Sequence, residues 1–432
     1  MSITEISKNA KTASILMAPL AGDCKNNALA AIADALKANS ARIIAENALD
    51  LAEAEKDALA APLVKRLKFD QAKIDDVCTG IESLIKLEEP VGKTLEAIEL
   101  DKGLELYKVS CPIGVIGVIF ESRPDALVQI STLCLKSGNG VLLKGGSEAK
   151  RTNRILADII STAAVKAGLP AGWLGLLETR SDVADMLALD EYIDLIVPRG
   201  SNQFVQHIMN NTTIPVMGHA DGICHVYVDS EADIDMAVNI TLDSKTQYCA
   251  VCNALETLLV HSSIAQTFLP KVKTALDAKG VEIRGCEKTT AIIDVKTATE
   301  EDWKTEYLDL ILSIKVVESL DEAIGHINKY GSGHTDCIVT NNRANAARFM
   351  DLVDSGDVFF NCSTRFSDGY RYGLGAEVGI STNKIHARGP VGLEGLLIYK
   401  WRMIGNGQVV SDYSGTGAKA FTHTNLDKEY KL

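Results

Sequence analysis

IGVIGVIFESRPDALVQISTLCLKSGNGVLLK, residues 113–144, is the stretch that decides the fold. Residues 113–120 are a nearly unbroken apolar run, which predicts a buried strand. Pro124–Lys136 has the pattern of a helix closed by Gly138, and residues 141–144 are apolar again. A strand, a helix and a second strand in this order are typical of a parallel βαβ unit.

The same alternation continues through the rest of the chain. Further strands are predicted over residues 174–177, 192–197, 224–228 and 313–317 and directly after Cys252. Further helices are predicted over residues 147–167, 232–243, 264–279 and 320–330. The sequence therefore predicts an α/β protein with two doubly wound lobes.

The first 110 residues follow other patterns. Residues 26–56 and 70–86 read as amphipathic helices that cover a sheet. Residues 95–110 alternate apolar and polar side chains around a Lys102-Gly103 turn, which predicts a hairpin. Either it is an ordinary surface hairpin or it pairs edge-on with another subunit.

Composition bounds the class of protein. The chain has 432 residues, 46% of them hydrophobic, which is enough for two sizeable cores. The net charge of −13, without a basic stripe, argues against a nucleic-acid surface. No run of eighteen apolar residues and no signal-peptide core are present, so we expect a soluble, cytoplasmic protein without a membrane span.

Ten cysteines are scattered along the chain, and we expect reduced thiols. Cys249 and Cys252 are the one CxxC pair, and no second pair or spaced histidines complete a tetrahedral site, so no metal is expected. Two alternatives stay open for this pair. It forms a redox-active disulfide, or Cys249 packs as an apolar residue.

Two strand-to-helix junctions are candidates for binding phosphate, although no strand is followed by G-x-G-x-x-G. At the first junction, Lys144 precedes a Gly-Gly-Ser loop ending at Ser147, and Arg151 lies in the next helical turn. At the second, Gly200 and Ser201 open a helix. Helix amides and cations attract phosphate, but each junction also reads as a capped surface helix.

Cys252 lies at the junction between a predicted helical segment and a predicted strand. At such a junction a cysteine thiolate can be held at a cleft, where it can attack a carbonyl. The alternative is a packed apolar cysteine.

Residues 361–390 have the composition of a long loop, and its cations Arg365, Lys384 and Arg388 would suit an anionic substrate. Residues 301–309 are acidic and look solvated, so Glu306 reads as surface charge.

These features together resemble the γ-glutamyl phosphate reductase family of the aldehyde dehydrogenase superfamily. The resemblance runs from about residue 10 to residue 415, and its most specific pieces are residues 117–125, 143–149, 198–201, 252–258 and the 361–390 loop. It implies an aldehyde dehydrogenase-like fold in three parts: a cofactor-binding lobe (1–94 and 111–222), an oligomerisation hairpin (95–110, with part of 395–432) and a catalytic lobe (223–394).

The resemblance also assigns roles to single residues. Cys252 would be the nucleophile. The oxyanion that its attack forms needs hydrogen-bond donors, for which the Cys252 amide and a side chain near Ser122 are our candidates. The residues implied for NADP(H) are Lys144, Ser147 and Arg151 at the phosphorylated adenosine ribose, Gly200 and Ser201 at the pyrophosphate, and Glu306 at the nicotinamide ribose. Leu308-Asp309 departs from the usual Phe-Gly-Pro context of that glutamate. Arg123, Arg365, Lys384 and Arg388 would bind substrate.

The implied reaction is NADPH-dependent reduction of L-glutamyl 5-phosphate to L-glutamate 5-semialdehyde, through a cysteine thioester, in proline biosynthesis. Val216-Met217-Gly218-His219 replaces the stretch in which hydrolytic members hold a water-activating glutamate. His219 could act as a base there, but it reads as structural, as do His207, Cys224 and His225. A hydrolytic semialdehyde dehydrogenase and a silent scaffold are the alternatives.

The resemblance implies a homo-oligomer as well. A transient contact with glutamate 5-kinase has a physical motive, because γ-glutamyl phosphate holds its own amine within reach of an activated carbonyl and should cyclise quickly.

Overall fold

A computed structural model of the chain describes residues 1–178, 181–200, 202–219 and 221–432. The α-helices of these residues are α1 (Ile3–Met17), α2 (Gly22–Ala38), α3 (Ser40–Lys56), α4 (Ala61–Leu67), α5 (Gln71–Lys86), α6 (Pro124–Lys136), α7 (Lys150–Lys166), α8 (Ser181–Leu187), α9 (Asn202–Asn210), α10 (Ile234–Thr246), α11 (Ser262–Asp277), α12 (Glu287–Thr290), α13 (Leu320–Tyr330) and α14 (Arg343–Leu352).

The strands of the same residues are β1 (Thr94–Asp101), β2 (Leu104–Pro112), β3 (Val115–Phe120), β4 (Gly140–Lys144), β5 (Leu174–Leu177), β6 (Leu195–Arg199), β7 (Cys224–Val228), β8 (Leu255–His261), β9 (Glu282–Gly285), β10 (Lys296–Thr297), β11 (Ile311–Val317), β12 (Thr335–Val339), β13 (Asp357–Phe360), β14 (Gly379–Ser381), β15 (Gly389–Val391), β16 (Leu397–Ile404) and β17 (Thr424–Asn425). Within the described ranges, no helix combines the length and the apolarity needed to cross a membrane.

The chain divides into two compact units. Unit 1 comprises residues 1–200, 208–216 and 392–432, and unit 2 comprises residues 201–207 and 217–391. The three-part division implied by the resemblance stays a prediction.

The parallel sheet of unit 1 is built from the stretch that opened the sequence. Its strand order is β5-β4-β3-β6, and all its neighbours run parallel. Every residue of β3 and β4 is buried, which explains their continuous apolar sequence. Helices α1, α6 and α7 pack against the sheet. The predicted βαβ unit is confirmed, with the first strand beginning at Val115 rather than at residue 113.

Unit 1 also holds the predicted hairpin. β1 and β2 pair antiparallel around the Lys102-Gly103 turn, where Gly103 has a φ of +74° that favours glycine. Strands β16 and β17 from the carboxyl-terminal region extend the hairpin to a four-stranded sheet, in the order β16-β2-β1-β17. The predicted 26–56 helix is two helices, α2 and α3, which meet at Asn39.

Unit 2 contains a seven-stranded parallel sheet in the order β10-β9-β11-β8-β7-β12-β13. Neighbouring side chains of β7 point to opposite faces: Val226 and Val228 join the core under α10 and α11, and Tyr227 joins the core under α13 and α14. Because helices cover both faces, the second doubly wound lobe is confirmed. The candidate site lies at the amino ends of strands β7, β8 and β12 of this sheet.

Two segments of unit 2 differ from their predictions. Residues 301–309 were expected to be solvated, which is wrong for Asp302 and Trp303: they are 5% and 7% exposed. Asp302 accepts hydrogen bonds from Thr299, Arg284 and Tyr307, so its charge is stabilised inside the protein. The 361–390 stretch is not loop throughout, because it contains a short 3-10 helix (Thr364–Phe366), β14 and the start of β15.

Candidate active site

Cys252 lies in the turn before β8, half-buried, in unit 2. Two neighbours fix its backbone. The Cys224 thiol at the start of β7 donates to the Cys252 carbonyl over 3.2 Å. A Cβ on Gly222 would stand 2.2 Å from the Cys252 carbonyl oxygen and 2.4 Å from its Cα, so only glycine fits there. The predicted nucleophile therefore sits on a rigid support that sequence reasoning missed.

Two imidazoles lie beside the Cys252 thiol. One ring nitrogen of His219, one of His334 and the Cys252 Sγ are all within 4.8 Å of one another. The two rings meet edge to face, with their centroids 5.0 Å apart. His219 was interpreted as structural, and His334 was not singled out at all. The segments that carry them are far apart in sequence, so no spacing signal was available.

Arg365 is the predicted substrate-binding residue that the structure brings to Cys252. It is buried in the 3-10 helix, and its Nε donates to Gln247 Oε1 over 3.0 Å. Burial and the nearby Arg371 lower the pKa of Arg365, and the charge of a Cys252 thiolate raises it. Arg365 is thus within electrostatic range of a Cys252 thiolate.

The other predicted substrate-binding cations have different partners. Lys384 Nζ lies 2.5 Å from Asp354, and Arg388 reaches the same carboxylate over 3.3 Å. Arg388 also donates to the Asp354 carbonyl over 3.0 Å. Arg123 belongs to unit 1 and lies 3.7 Å from Asp125. Substrate binding by these three residues stays a prediction.

Ser122, the predicted oxyanion donor of unit 1, is held by Glu148. Its amide and its hydroxyl both donate to Glu148 Oε1, over 2.6 and 2.7 Å. Its φ of +42° is a left-handed conformation that serine rarely adopts. An oxyanion role for Ser122 would require the Glu148 carboxylate to move first.

The first phosphate candidate forms a recess in unit 1. A shallow recess at the ends of β4 and β5 is lined by Gly145, Gly146, Ser147, Lys150, Asn153, Leu176, Leu177 and Glu178. Lys144 is buried beneath this loop, with its Nζ donating to the Gly145 carbonyl over 2.6 Å. Ser147 and Arg151 are exposed. Lys150, rather than the predicted Arg151, lines the recess.

Two amides at the start of α7 already bond to a carboxylate, so these two are not available for a phosphate. Asp50 of α3 accepts from the Arg151 amide over 3.2 Å and from the Thr152 amide over 2.8 Å. The Thr152 hydroxyl donates to the same carboxylate. A buried acidic side chain therefore occupies the helix N-terminus, as the helix dipole favours.

The second candidate phosphate-binding junction lies only partly within the described residues. Gly200 follows β6 and is exposed, whereas Ser201 lies outside the described residues. The next residue, Asn202, opens α9 and donates to Asp221 over 2.8 Å and to Glu306 over 2.5 Å.

Glu306 is half-buried in unit 2 and is not a surface charge as the acidic segment suggested. Burial raises its pKa, while hydrogen bonds from Asn202 and the Gly222 amide act in the opposite direction. Gly222 therefore contacts both Glu306 and Cys252, which places the predicted ribose-binding carboxylate near the predicted nucleophile.

Comparisons with known proteins identify the family and the fold. The model described as "Aldehyde dehydrogenase family" matches residues 3–291 and 284–376. Two doubly wound units and a supported cysteine before a central strand thus define an aldehyde dehydrogenase-fold protein.

More similar proteins narrow the class. The chain is 66% identical over 432 residues to the γ-glutamyl phosphate reductase of Pelotomaculum thermopropionicum, covering 100% of this chain and 99% of that protein. It is 65% identical to that of Acetivibrio thermocellus, covering 100% of both. A crystal structure of γ-glutamyl phosphate reductase from Thermotoga maritima matches with a TM-score of 0.92 and 41% identity, over 95% of this chain and 100% of that one. The chain belongs to the γ-glutamyl phosphate reductase family.

Proposed function

We propose that this protein reduces L-glutamyl 5-phosphate to L-glutamate 5-semialdehyde with NADPH, releasing phosphate, through a thioester on Cys252. The observation that carries the proposal is the placement of Cys252, which is half-buried, locked by Gly222 and Cys224, and within electrostatic reach of Arg365. The names of its relatives support γ-glutamyl phosphate as the substrate, and the place in proline biosynthesis is part of the proposal.

The chemistry follows from the acyl phosphate. The Cys252 thiolate attacks the γ-carbonyl, the bond to the phosphate oxygen breaks, and phosphate leaves with the electron pair. NADPH supplies the hydride that reduces the resulting thioester. The C–S bond then breaks, returning the thiolate and releasing the aldehyde.

Arg365 supports the first step in two ways. A guanidinium near Cys252 favours the thiolate over the thiol. It also attracts an anionic substrate, since arginine binds carboxylate and phosphate oxygens with its planar fork. The oxyanion formed at each stage needs N–H donors, for which the Cys252 amide remains our candidate.

The recess of unit 1 is our candidate for the adenosine end of the cofactor. Its floor is a glycine cradle: a Cβ on Gly145 would stand 2.1 Å from Asn153 Nδ2, and one on Gly146 would stand 2.0 Å from Glu148 Oε1. Asn153 Oδ1 is buried without a hydrogen-bond partner, so the recess offers an acceptor to a ribose hydroxyl. Lys150 brings positive charge to the recess, and the Glu178 carboxylate in its lining is paired with Arg154 over 2.8 Å. This balance favours NADP(H) over NAD(H).

A thioester must survive until the hydride arrives, so water activation has to be avoided. The Val216–His219 stretch offers no carboxylate, and the Gly218 carbonyl is held by the Thr382 amide over 3.3 Å. His219 is the nearby group that could activate water. Phosphate dependence therefore decides between the proposed reaction and a hydrolytic semialdehyde dehydrogenase.

The test runs the reaction backwards, with glutamate 5-semialdehyde and NADP⁺, and follows nicotinamide absorbance with and without inorganic phosphate. The proposal expects turnover that requires phosphate. A phosphate-independent rate of similar size would establish the hydrolytic reaction instead, and its loss in His219→Ala would identify the base. A homo-oligomeric state, a cytoplasmic location and contact with a kinase stay proposals.

A further inference from the structure

Cys252, His219 and His334 form a cluster of three metal-binding side chains, called the thiol–imidazole cluster below. It is the one group of that kind in the described parts of the chain, 1–178, 181–200, 202–219 and 221–432. Cys252 and His219 are half-buried and His334 is fully buried, so the cluster has one fixed member and two that can adjust.

His334 provides the strongest sign that a ligand is missing from the cluster. Its Nε2 atom is buried and has no hydrogen-bond partner, although its Nδ1 lies 2.7 Å from the Thr335 hydroxyl. An unsatisfied buried nitrogen is costly unless something binds it.

The outer contacts of both histidines match those of metal ligands. His219 Nδ1 lies 3.1 Å from the Ile380 carbonyl oxygen, which can only accept, so a neutral His219 presents Nε2 as its lone-pair atom. His334 Nδ1 is oriented by the Thr335 hydroxyl. Histidines that bind metals are usually held in this manner, with the second ring nitrogen bonded to an oxygen.

The geometry points to Zn²⁺ as the ion. Tetrahedral zinc places its sulfur and nitrogen ligands roughly 3.3–3.6 Å apart, and the three ligand atoms lie within 4.8 Å of one another without an ion. A shift of about 1 Å in the ligand atoms of His219 and Cys252 would bring the three atoms to the separations that zinc requires. One cysteine and two histidines with an open fourth position suit Zn²⁺ better than Mg²⁺ or Ca²⁺, which prefer oxygen.

We propose that one Zn²⁺ ion binds to Cys252, His219 and His334 and reversibly blocks the enzyme. Binding replaces the Cys252 thiol proton with the ion, and the proton passes to solvent. The bound sulfur can no longer attack a carbonyl until a chelator removes the ion. The spacing of cysteines in the sequence gave no reason to expect a metal, because the three ligands come from separate segments.

The first test is calorimetric titration of the metal-free protein with Zn²⁺. In a second titration Co²⁺ is added and the absorption spectrum is recorded, to detect a sulfur-to-cobalt charge-transfer band. We expect one equivalent, with the cobalt band absent from Cys252→Ser. His334→Gln and His219→Ala should each weaken binding about tenfold or more. If His334→Gln does not fold, the half-buried His219→Ala variant still gives the answer.

His326→Gln is the matched control, because His326 is also a buried histidine of unit 2 with an unpartnered Nε2. It should bind Zn²⁺ like the parent. Equal affinity in the parent and both cluster variants would overturn the site.

Inhibition by Zn²⁺ rests on the proposed function and is measured separately. If the metal-free protein binds Zn²⁺ but has no reductase activity, that result counts against the proposed function and leaves the metal site standing.

Discussion

Gly222 packs directly against the backbone of Cys252, the proposed nucleophile, and one added methyl group tests whether this contact positions it. Gly222→Ala puts a Cβ 2.2 Å from the Cys252 carbonyl oxygen, so the backbone of the nucleophile must shift. Misplacing a reacting group by about 1 Å costs on the order of 100-fold in rate. We expect turnover to fall about 10- to 100-fold while the protein stays folded, measured by steady-state kinetics and thermal melting.

Gly325→Ala is the control for this change, because a Cβ on Gly325 meets nothing within 4 Å. It lies in helix α13 of the same unit, where alanine is favoured over glycine. Its turnover should equal that of the parent. A Gly222→Ala enzyme with parental kinetics would show that the contact does not position Cys252.

Ser147 governs the choice of cofactor in our account. Ser147→Glu introduces a carboxylate beside Gly146 in the recess, where it would repel a 2′-phosphate. We expect kcat/KM for NADPH to fall much more than kcat/KM for NADH. Ser147→Ala, which removes the hydroxyl without adding charge, should change the ratio little. Equal losses with both cofactors in Ser147→Glu would mean that this recess does not recognise the phosphate.

At the scale of elements, the buried carboxylate of Asp302 holds the segment before Glu306 in place. Burial pushes the pKa of Asp302 up, but hydrogen bonds from the Thr299 amide, Arg284 and Tyr307 outweigh it and hold the pKa well below the ordinary value of 3.8. A carboxyl group with a lowered pKa stabilises the fold above its ordinary pKa and loses this contribution as the pH falls.

Asp302→Asn should therefore destabilise the protein by about 2 kcal/mol at neutral pH, the usual range for charge-assisted hydrogen bonds. The difference from the parent should shrink below about pH 4. Melting temperatures of both proteins from pH 7 down to pH 4 and below check this. Glu301→Gln, at an exposed neighbouring position, is the control. A difference that stays constant across this pH range would contradict the assignment.

The elements that sequence alone predicted are those whose signal is local. Strand β3, helix α6 and strand β4 follow from apolar runs, Pro124 and Gly138, each read within a few residues. Cys252 also carried a local signal. The contacts of Asp302 with Arg284, of His334 with His219 and of Asp50 with Arg151 could not be predicted, because the fold brings these partners together from 18 to 115 residues away.

At the scale of the whole molecule, strand β16 is an open edge of the antiparallel sheet. It exposes Trp401 and Met403, which are 48% and 58% accessible. An exposed apolar edge strand invites pairing with another chain. We expect Trp401→Lys with Met403→Lys to reduce the molecular mass seen by light scattering to that of smaller assemblies.

Ile15→Lys is the control for this pair, because Ile15 is an exposed apolar residue of α1 rather than of the sheet. Its mass should equal that of the parent. An unchanged mass in the β16 variant would show that this edge does not hold an oligomer together.

The central claim is that Cys252 carries the acyl group, and its most direct test compares the parent with Cys252→Ser. Oxidation of glutamate 5-semialdehyde with phosphate and NADP⁺ is followed by nicotinamide absorbance, and cofactor binding is followed by thermal shift with NADPH. Cys249→Ala serves as the control, and we expect it to stay active.

Our account predicts that Cys252→Ser loses several powers of ten in turnover while its thermal shift persists, because a serine hydroxyl forms an alkoxide far less readily than cysteine forms a thiolate. Turnover above roughly a few per cent of the parental value in Cys252→Ser would contradict the covalent mechanism.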